Sequence, residues 1–481
     1  MMTFNSLSQI GYRAITPLME RYALRFLHEK NVSRKQENLL QQKLRRIQGT
    51  SIGRKMGVGS SSSVEHLPLT TYEFYKSYFA NPNPGDLMYP VEEYVKAMTS
   101  GSMGKPKTFL LPKKGIWDNL TKTGLSFMFL STHDGEKICF EVGDSVYRNI
   151  PGGSYLSGFL SDTFQSRRSA LVKQVPELEM TYHEKVDYFI ENYPDIQVAY
   201  MTVTTLLDEV YPRIGKSFHL KGFITQDSSA GVLKEKIREA TGNYPKVTYG
   251  STETLFSGLP SIEFPGCFFL DWRNMYCEFV PEEESVETSE GLVEESDAET
   301  LPLMEVESGS RYQLIATPFG NDMTRYVTPD IFECVSNGDS ILETELPIFS
   351  FYARKDKLIV LHNFTRIAEE EILNVLRDTS IPFKDFTASV ELEGARDCMA
   401  IYIELSSPMD AAEVSNRIHE ELLKIDKDWR DLSEMMKYIP LKIHLLPDGA
   451  FSRYLANKPG MPRIERIGMR EDRLNELLSR N

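Results

Sequence analysis

Cysteine is scarce in this chain: five residues in 481, none in a Cys-x-x-Cys pair. Cys139, Cys267, Cys277, Cys334 and Cys398 are scattered, which argues against a disulfide framework and against a structural zinc site. They fit a reducing, cytoplasmic setting. Histidine is scarce too, eight in all, with no His-Glu-x-x-His or comparable ligand pair. Long apolar runs are missing. In the first thirty residues Arg13, Glu20, Arg21, Arg25, His28, Glu29 and Lys30 interrupt any stretch that would serve as an export signal or a membrane span. Positive charge is in deficit, with 54 Lys and Arg against 69 Asp and Glu, a formal net charge of −15. That field repels nucleic-acid backbones and anionic lipid, so neither nucleic acid nor stable membrane insertion is expected. A nucleotide can still bind where local amides, a lysine and a metal ion decide the contest at short range. No internal repeat is visible.

What is present describes an ordinary globular chain, 41% hydrophobic and 11% aromatic, too long for one core and suited to two or three domains. The first fifty-odd residues read as helical. Ile15, Leu18, Met19, Tyr22 and Phe26 recur near helical spacing, and Leu39, Leu40, Leu44 and Ile47 do so again. Packing onto its own domain is the expected use of the first stripe, a membrane-surface helix the alternative. From residue 94 to about 335, β-rich runs alternate with helical patterns. Strands are expected over 137–142, 198–202, 219–225, 246–249, 267–280, 312–317 and 331–335. Helices are expected over 176–192, 204–211 and 232–241. That alternation points to a largely parallel α/β sheet. An acidic stretch over 282–307 reads as a solvated excursion. After residue 355 the order becomes β-α-β-β-α-β, the ferredoxin-like pattern, so a large α/β domain precedes a small α+β one.

Five segments carry candidate chemistry. Met98-Thr-Ser-Gly-Ser-Met-Gly-Lys-Pro-Lys107 is rich in small residues that let backbone N–H groups approach polyphosphate oxygens, with a lysine at its end. It lacks the Gly-Lys-Ser/Thr ending of a Walker A loop. A generic turn is the plain alternative. Val247-Thr-Tyr-Gly-Ser-Thr-Glu253 ends an apolar strand in a turn that presents one carboxylate. At the carboxyl ends of an open α/β sheet, Glu253 could hold Mg²⁺; otherwise it sits in the first turn of a helix. Arg325-Tyr-Val-Thr-Pro-Asp330 offers Asp330 as a bidentate acceptor for ribose hydroxyls, or as a turn aspartate. Arg354 and Asp356 fall where the texture changes, a phosphate or ribose contact and a hinge, or surface charges in a linker. Leu446–Ile464 reads as a loop carrying Lys458, which a small domain could deliver into a cleft.

In this order and at these separations the five segments resemble the adenylate-forming superfamily, and most closely the auxin-conjugating type of acyl-acid amido synthetases and their microbial relatives. Leu67-Pro-Leu-Thr-Thr-Tyr72, Tyr276-Cys-Glu-Phe-Val-Pro281 and Glu305–Thr317 support that narrower resemblance, which spans about residues 41–464. It implies a large adenylate-forming domain with mixed and parallel sheets over 1–355, and a mobile α+β domain over 356–481. It implies ATP and Mg²⁺ as cofactors. Thr99, Ser100, Gly101, Ser102, Gly104 and Lys107 would wrap the β- and γ-phosphates. Tyr249, Gly250, Ser251 and Thr252 would line the adenine and α-phosphate side, with Glu253 on the metal. Asp330 would take the ribose with help from Arg354. Ser228–Gly231 would lie near adenine and the acyl pocket, and Lys458 would be the lysine of the small domain. Lys107, Glu253 and Lys458 are the expected catalytic residues.

Two features depart from the family pattern. Met103 stands where a hydroxyl residue is common, and Pro329 replaces the usual glycine before Asp330. The implied reaction joins a carboxylic acid to AMP and passes the acyl group to an amine. An acyl-CoA ligase sharing that intermediate is the alternative, and a nucleotide-binding regulatory protein without catalysis is a third reading.

Overall fold

Two sheets of opposite construction face one another across a shared apolar core. The structure, a computed structural model, describes residues 4–59, 63–98, 107–150, 171–177, 179–227, 229–286, 291–293, 299–355, 358–361, 365–393, 396–426, 429–430, 432–433, 439–456 and 463–479. The first sheet is parallel throughout. Its strands lie in the spatial order Val172–Val175, Asp144–Arg148, Val198–Tyr200, Gly222–Thr225 and Pro245–Val247. Gly222–Thr225 is buried along its length, as a strand covered on both faces must be. The second sheet is mainly antiparallel, with Phe268–Leu270, Ile348–Arg354, Tyr326–Ser336, Arg311–Pro318 and Met275–Pro281 as successive neighbours. Phe223, Tyr147 and Val247 from one side meet Phe279, Phe332 and Phe349 from the other in one core.

Several local expectations are corrected. Residues 137–142 form no strand: the Asp134 carboxylate accepts the amides of Glu136 and Lys137, which holds the chain in a turn. The strand there is Asp144–Arg148. The run over 267–280 is two strands separated by a turn in which Asp271 accepts the Arg273 amide and pairs with its guanidinium at 2.6 Å. The helix expected from residue 176 starts at Tyr182, where Thr181 and Glu184 form a reciprocal cap, and Val172–Val175 occupies the sheet position before it. Thr205–Val210 is helical but wound as a π-helix.

The small C-terminal domain follows the expected element order. Phe383–Glu393 and Arg396–Leu405 pair antiparallel, and Leu441–Leu446 lies parallel to the latter. The first strand, Ile359–Leu361, instead forms a hairpin with Thr365–Ile367 while packing into the same core. This domain meets the large one through polar contacts and a small apolar one made by Val232 and Leu233. Thr204 Oγ1 donates to Asp385 at 2.9 Å across the boundary, and within the small domain Arg466 holds both oxygens of Asp385 and one of Glu369. Half-buried Asp208, on the π-helix, lies in the same patch. Burial, and then the charges of Asp385 and Glu404, push its pKa up to about 8, against the opposing pull of Lys384 and Arg466.

The antiparallel sheet is locked to the N-terminal region by one cation. Arg325, 6% exposed, pairs with Glu278 through two hydrogen bonds of 2.7 and 3.2 Å and donates to the Leu67 carbonyl at 2.6 Å. Its backbone sits at φ 45°, a strained value for an arginine that these contacts over-determine. Next to it the strand Leu69–Thr70 pairs parallel with Tyr326.

Two outcomes follow from these burials. Glu278→Ala strands a buried guanidinium and should lower the unfolding free energy by about 3–5 kcal/mol in urea titration; a loss below about 1 kcal/mol would show that the pair anchors nothing. Asp208 holds its proton more tightly folded than unfolded, so its share of stability declines as pH climbs from the ordinary carboxylate range to about 8. Asp208→Asn should therefore raise the melting temperature by an amount that grows between pH 5 and pH 8. A pH-independent gain would contradict the assignment.

Candidate functional site

The strand Tyr326–Ser336 collects the expected site residues. Its register against Arg311–Pro318 slips between Gln313 and Ile315, where Thr328, Pro329 and Asp330 bulge out. Pro329 is tolerated because it has no N–H to lose from the ladder. Its carbonyl accepts the Lys355 amide at 2.7 Å, and Gln313 donates to the Thr328 carbonyl. Both bonds use backbone carbonyls that proline retains, so its presence in place of glycine leaves the bulge around Asp330 hydrogen-bonded. The Tyr249 hydroxyl donates to Asp330 Oδ2 at 2.7 Å, and Arg354 lies opposite Asp330 across the neighbouring strand.

Tyr249 reaches there from the parallel sheet. Its ring stacks on Phe268 at 5.6 Å and meets Phe332 edge-on at 4.9 Å. Burial, then the Asp330 charge, lift its pKa well above normal, so it stays a neutral donor. Gly258 permits the approach: a Cβ there would fall 2.6 Å from Tyr249 backbone nitrogen. Beyond Tyr249 the chain makes a tight hairpin, Gly250–Ser251 against Leu255–Phe256, closed by Leu255 at φ 59°. Glu253 sits in that turn and not in a helix. Its carbonyl accepts from Asn321 at 2.8 Å, and its carboxylate accepts the Tyr326 hydroxyl at 3.3 Å.

The expected phosphate-loop residues Thr99, Ser100, Gly101, Ser102 and Gly104 lie outside the described residues, but the strands before and after them in the chain do not. Tyr94–Met98 and Thr108–Pro112 pair with Met98 opposite Thr108. Tyr72, from the Leu67–Tyr72 segment, accepts the Thr108 amide at 2.9 Å and donates to its carbonyl at 3.2 Å. Lys107 Nζ stands 5.1 Å over the Tyr72 ring. The same helix, Tyr72–Ala80, touches the central strand through Tyr75, whose ring lies 6.2 Å from Tyr326. Glu253 and Asp330 are therefore tied to this strand by Tyr326 and Tyr249, and Lys107 reaches it indirectly, through Tyr72 and the Tyr75 of the same helix.

Asp356, Lys458 and Ser228 also lie outside the described residues. Of the Ser228–Gly231 run, Ser229 begins a short helix, Ser229–Val232, and is fully buried, and its hydroxyl has no hydrogen-bond partner among the described residues. The parallel strands end nearby. Arg463, five residues beyond Lys458 in sequence, donates to Gln226 at 2.9 Å and lies 3.7 Å from Asp227, which itself accepts the Val203 amide. Sequence reasoning gave Arg463 no role, since a contact between domains leaves no local spacing to read. Among the described residues no cluster of three or more Cys, His, Asp or Glu could hold a metal. A lone half-buried carboxylate such as Glu253 fits Mg²⁺, which takes one or two carboxylates and draws its other ligands from phosphate and water.

Among solved structures, an acyl acid amido synthetase, GH3.15, is 16% identical and superposes with a TM-score of 0.68, over 95% of this chain and 96% of that one. A 2-hydroxyisobutyryl-CoA ligase in its postadenylation state, complexed with R3-HIB-AMP, is 14% identical with a TM-score of 0.62, over 92% and 91%. These likenesses establish a shared two-domain fold. No curated protein sequence matches the chain. The GH3 family N-terminal domain matches residues 26–193 and the GH3 family central domain residues 268–354, together more than half of the sequence, and the chain belongs to the GH3 family.

Proposed function

We propose that this protein is an ATP-dependent ligase that activates a carboxylic acid as an acyl-adenylate and then transfers the acyl group to an amine. Family membership supports the class of reaction. The observation that supports the reading is that Glu253 and Asp330 meet one strand through Tyr326 and Tyr249, while the helix whose Tyr72 lies under Lys107 touches that strand through Tyr75. A second reading, transfer to the thiol of CoA, is kept alive by the fold shared with the 2-hydroxyisobutyryl-CoA ligase.

The two half-reactions balance simply. A carboxylate oxygen of the acid attacks the α-phosphorus of ATP, and the bridging α–β P–O bond breaks to release pyrophosphate. The amine nitrogen then attacks the acyl carbon, the C–O bond to AMP breaks, and the nitrogen gives up a proton. In the first step the protein's task is positioning two anions in line. Thr99, Ser100, Gly101, Ser102 and Gly104 would cradle the β- and γ-phosphates by their amides and hydroxyls, with Lys107 adding charge. Asp330, oriented by Tyr249, would accept the ribose hydroxyls with Arg354 beside it. Gly250, Ser251 and Thr252 would line the α-phosphate side. The orphan Ser229 hydroxyl is suited to a nucleotide edge. Glu253 would hold Mg²⁺, which when bound neutralises charge on the departing pyrophosphate.

The domain boundary would fall at Lys355/Asp356, with Asp356 as hinge. Lys458 would enter the crevice when the small domain closes, and closure would exclude the water that hydrolyses a mixed anhydride.

Pyrophosphate release measured with a panel of carboxylic acids tests the first half-reaction. Glu253→Ala should slow it on the order of a hundred-fold or more, with ATP-analogue binding retained; near-normal turnover would remove Glu253 from the metal. Product mass, with amino acids or CoA supplied separately, tests the second. Amide formation without thioester is expected, and thioester alone would select the CoA ligase reading.

A further inference from the structure

The N-terminal helix, Phe4–Leu24, has two apolar rows, and only one is used internally. Tyr12, Met19, Ala23 and Leu24 pack against Phe129, Phe140 and Val172. Beside them Ile15, Leu18 and Tyr22 are 44, 68 and 55% exposed. Their i, i+3, i+7 spacing puts all three on one stripe of the helix. Packing onto its own domain, the use expected from sequence, therefore accounts for Met19 and Phe26 but not for this stripe.

Charge around the stripe runs against the rest of the molecule. Residues 11–35 contain six arginines and lysines and two glutamates, in a chain of net charge −15. Arg13, Arg21, Arg25, Lys30, Arg34 and Lys35 are all exposed. The Arg25 guanidinium lies 4.6 Å over the Tyr22 ring. An open cleft of about 350 Å³ adjoins it, lined in part by Tyr22, Arg25, Lys35, Lys122 and Arg273. A second copy of this face would meet an excess of four positive charges, six minus the two glutamates, so self-association through it is disfavoured. A convex helix with an apolar row flanked by cations is complementary to a flat, anionic, deformable surface, where apolar side chains enter the headgroup boundary and cations meet phosphate. Screening confines the molecule's overall negative field to about 8 Å at physiological salt, so this local patch decides the encounter.

We propose that the Ile15–Leu18–Tyr22 stripe and its surrounding arginines dock the protein reversibly on an anionic phospholipid surface, with the cleft beside Arg25 receiving a headgroup phosphate. No helix among the described residues is long and apolar enough to cross a membrane, so the contact is peripheral.

Co-sedimentation of the full chain with vesicles tests this. The protein should partition onto phosphatidylcholine mixed with phosphatidylglycerol, not onto phosphatidylcholine alone, and added salt should release it. Arg25→Gln should weaken partition about five-fold. Ile15→Gln with Leu18→Gln should abolish it while leaving pyrophosphate release in free solution unchanged, because neither residue belongs to the nucleotide site. Leu18→Trp should retain binding and show a blue shift of its indole emission only with the mixed vesicles. The proposal is overturned by no partition, by equal partition onto both vesicle types, by wild-type partition of the double variant, or by an unshifted indole. Retention on immobilised polyglutamate without vesicle binding would also overturn it, and would assign the face to an acidic protein.

Discussion

The buried pair of Arg325 and Glu278 is the constraint on which the large domain's geometry turns. Glu278 belongs to one strand of the antiparallel sheet, Arg325 to the turn that begins the central strand, and Leu67, whose carbonyl the guanidinium also meets, to the segment leading to the phosphate-loop brace. An arginine 6% exposed cannot leave any of these partners without stranding a charge in a dry environment. Its position immediately before Tyr326 therefore sets where that tyrosine starts, and Tyr326 sets where Glu253 sits. The positive φ at Arg325 is the local cost of making three distant segments share one residue.

The site sits where two kinds of sheet meet. The parallel sheet brings Tyr249 and Asp227 to the carboxyl ends of its strands, where the side chains of an open α/β sheet are least covered. The antiparallel sheet supplies acceptors from a bulge, which re-aims Asp330 away from simple alternation. Neither sheet alone contains both the carboxylates and their orienting phenols. The buried tyrosines make the join, since their raised pKa values keep them donors over the whole physiological range. A donor that cannot ionise is a rigid spacer between two negative groups.

Much of this was legible in the chain, for identifiable reasons. The strands ending at Tyr200, Thr225 and Val247 are short apolar runs bounded by polar turns, which is all a buried parallel strand requires. Tyr249, Glu253 and Asp330 were singled out in the chain by small residues and carboxylates at strand ends, and the structure brings the Tyr249 hydroxyl onto Asp330. Illegible features share a different origin. The strand expected over 137–142 failed because one side chain, Asp134, captured two amides and outbid the sheet. Glu253 in a hairpin turn, not a helix, reflects Gly250 and Leu255 adopting a closure that periodicity does not encode. Arg463 meets Gln226 across 237 positions, and no window of sequence contains both.

The character of the contact between domains bears on how the chemistry can proceed. Thr204 with Asp385, and Arg463 with Gln226 and Asp227, are polar contacts that water can replace when they part. Val232 and Leu233 add a small apolar touch to the small domain's core. An interface of this kind favours relative movement, in contrast to the continuous core that joins the two sheets of the large domain. Adenylation needs a closed site and acyl transfer needs a new nucleophile admitted to it. A hinge closing on exchangeable hydrogen bonds meets both demands, whereas a large apolar seal would meet only the first. Asp208, held protonated by its surroundings near neutral pH, removes one negative charge from a patch that already contains Asp385 and Glu404.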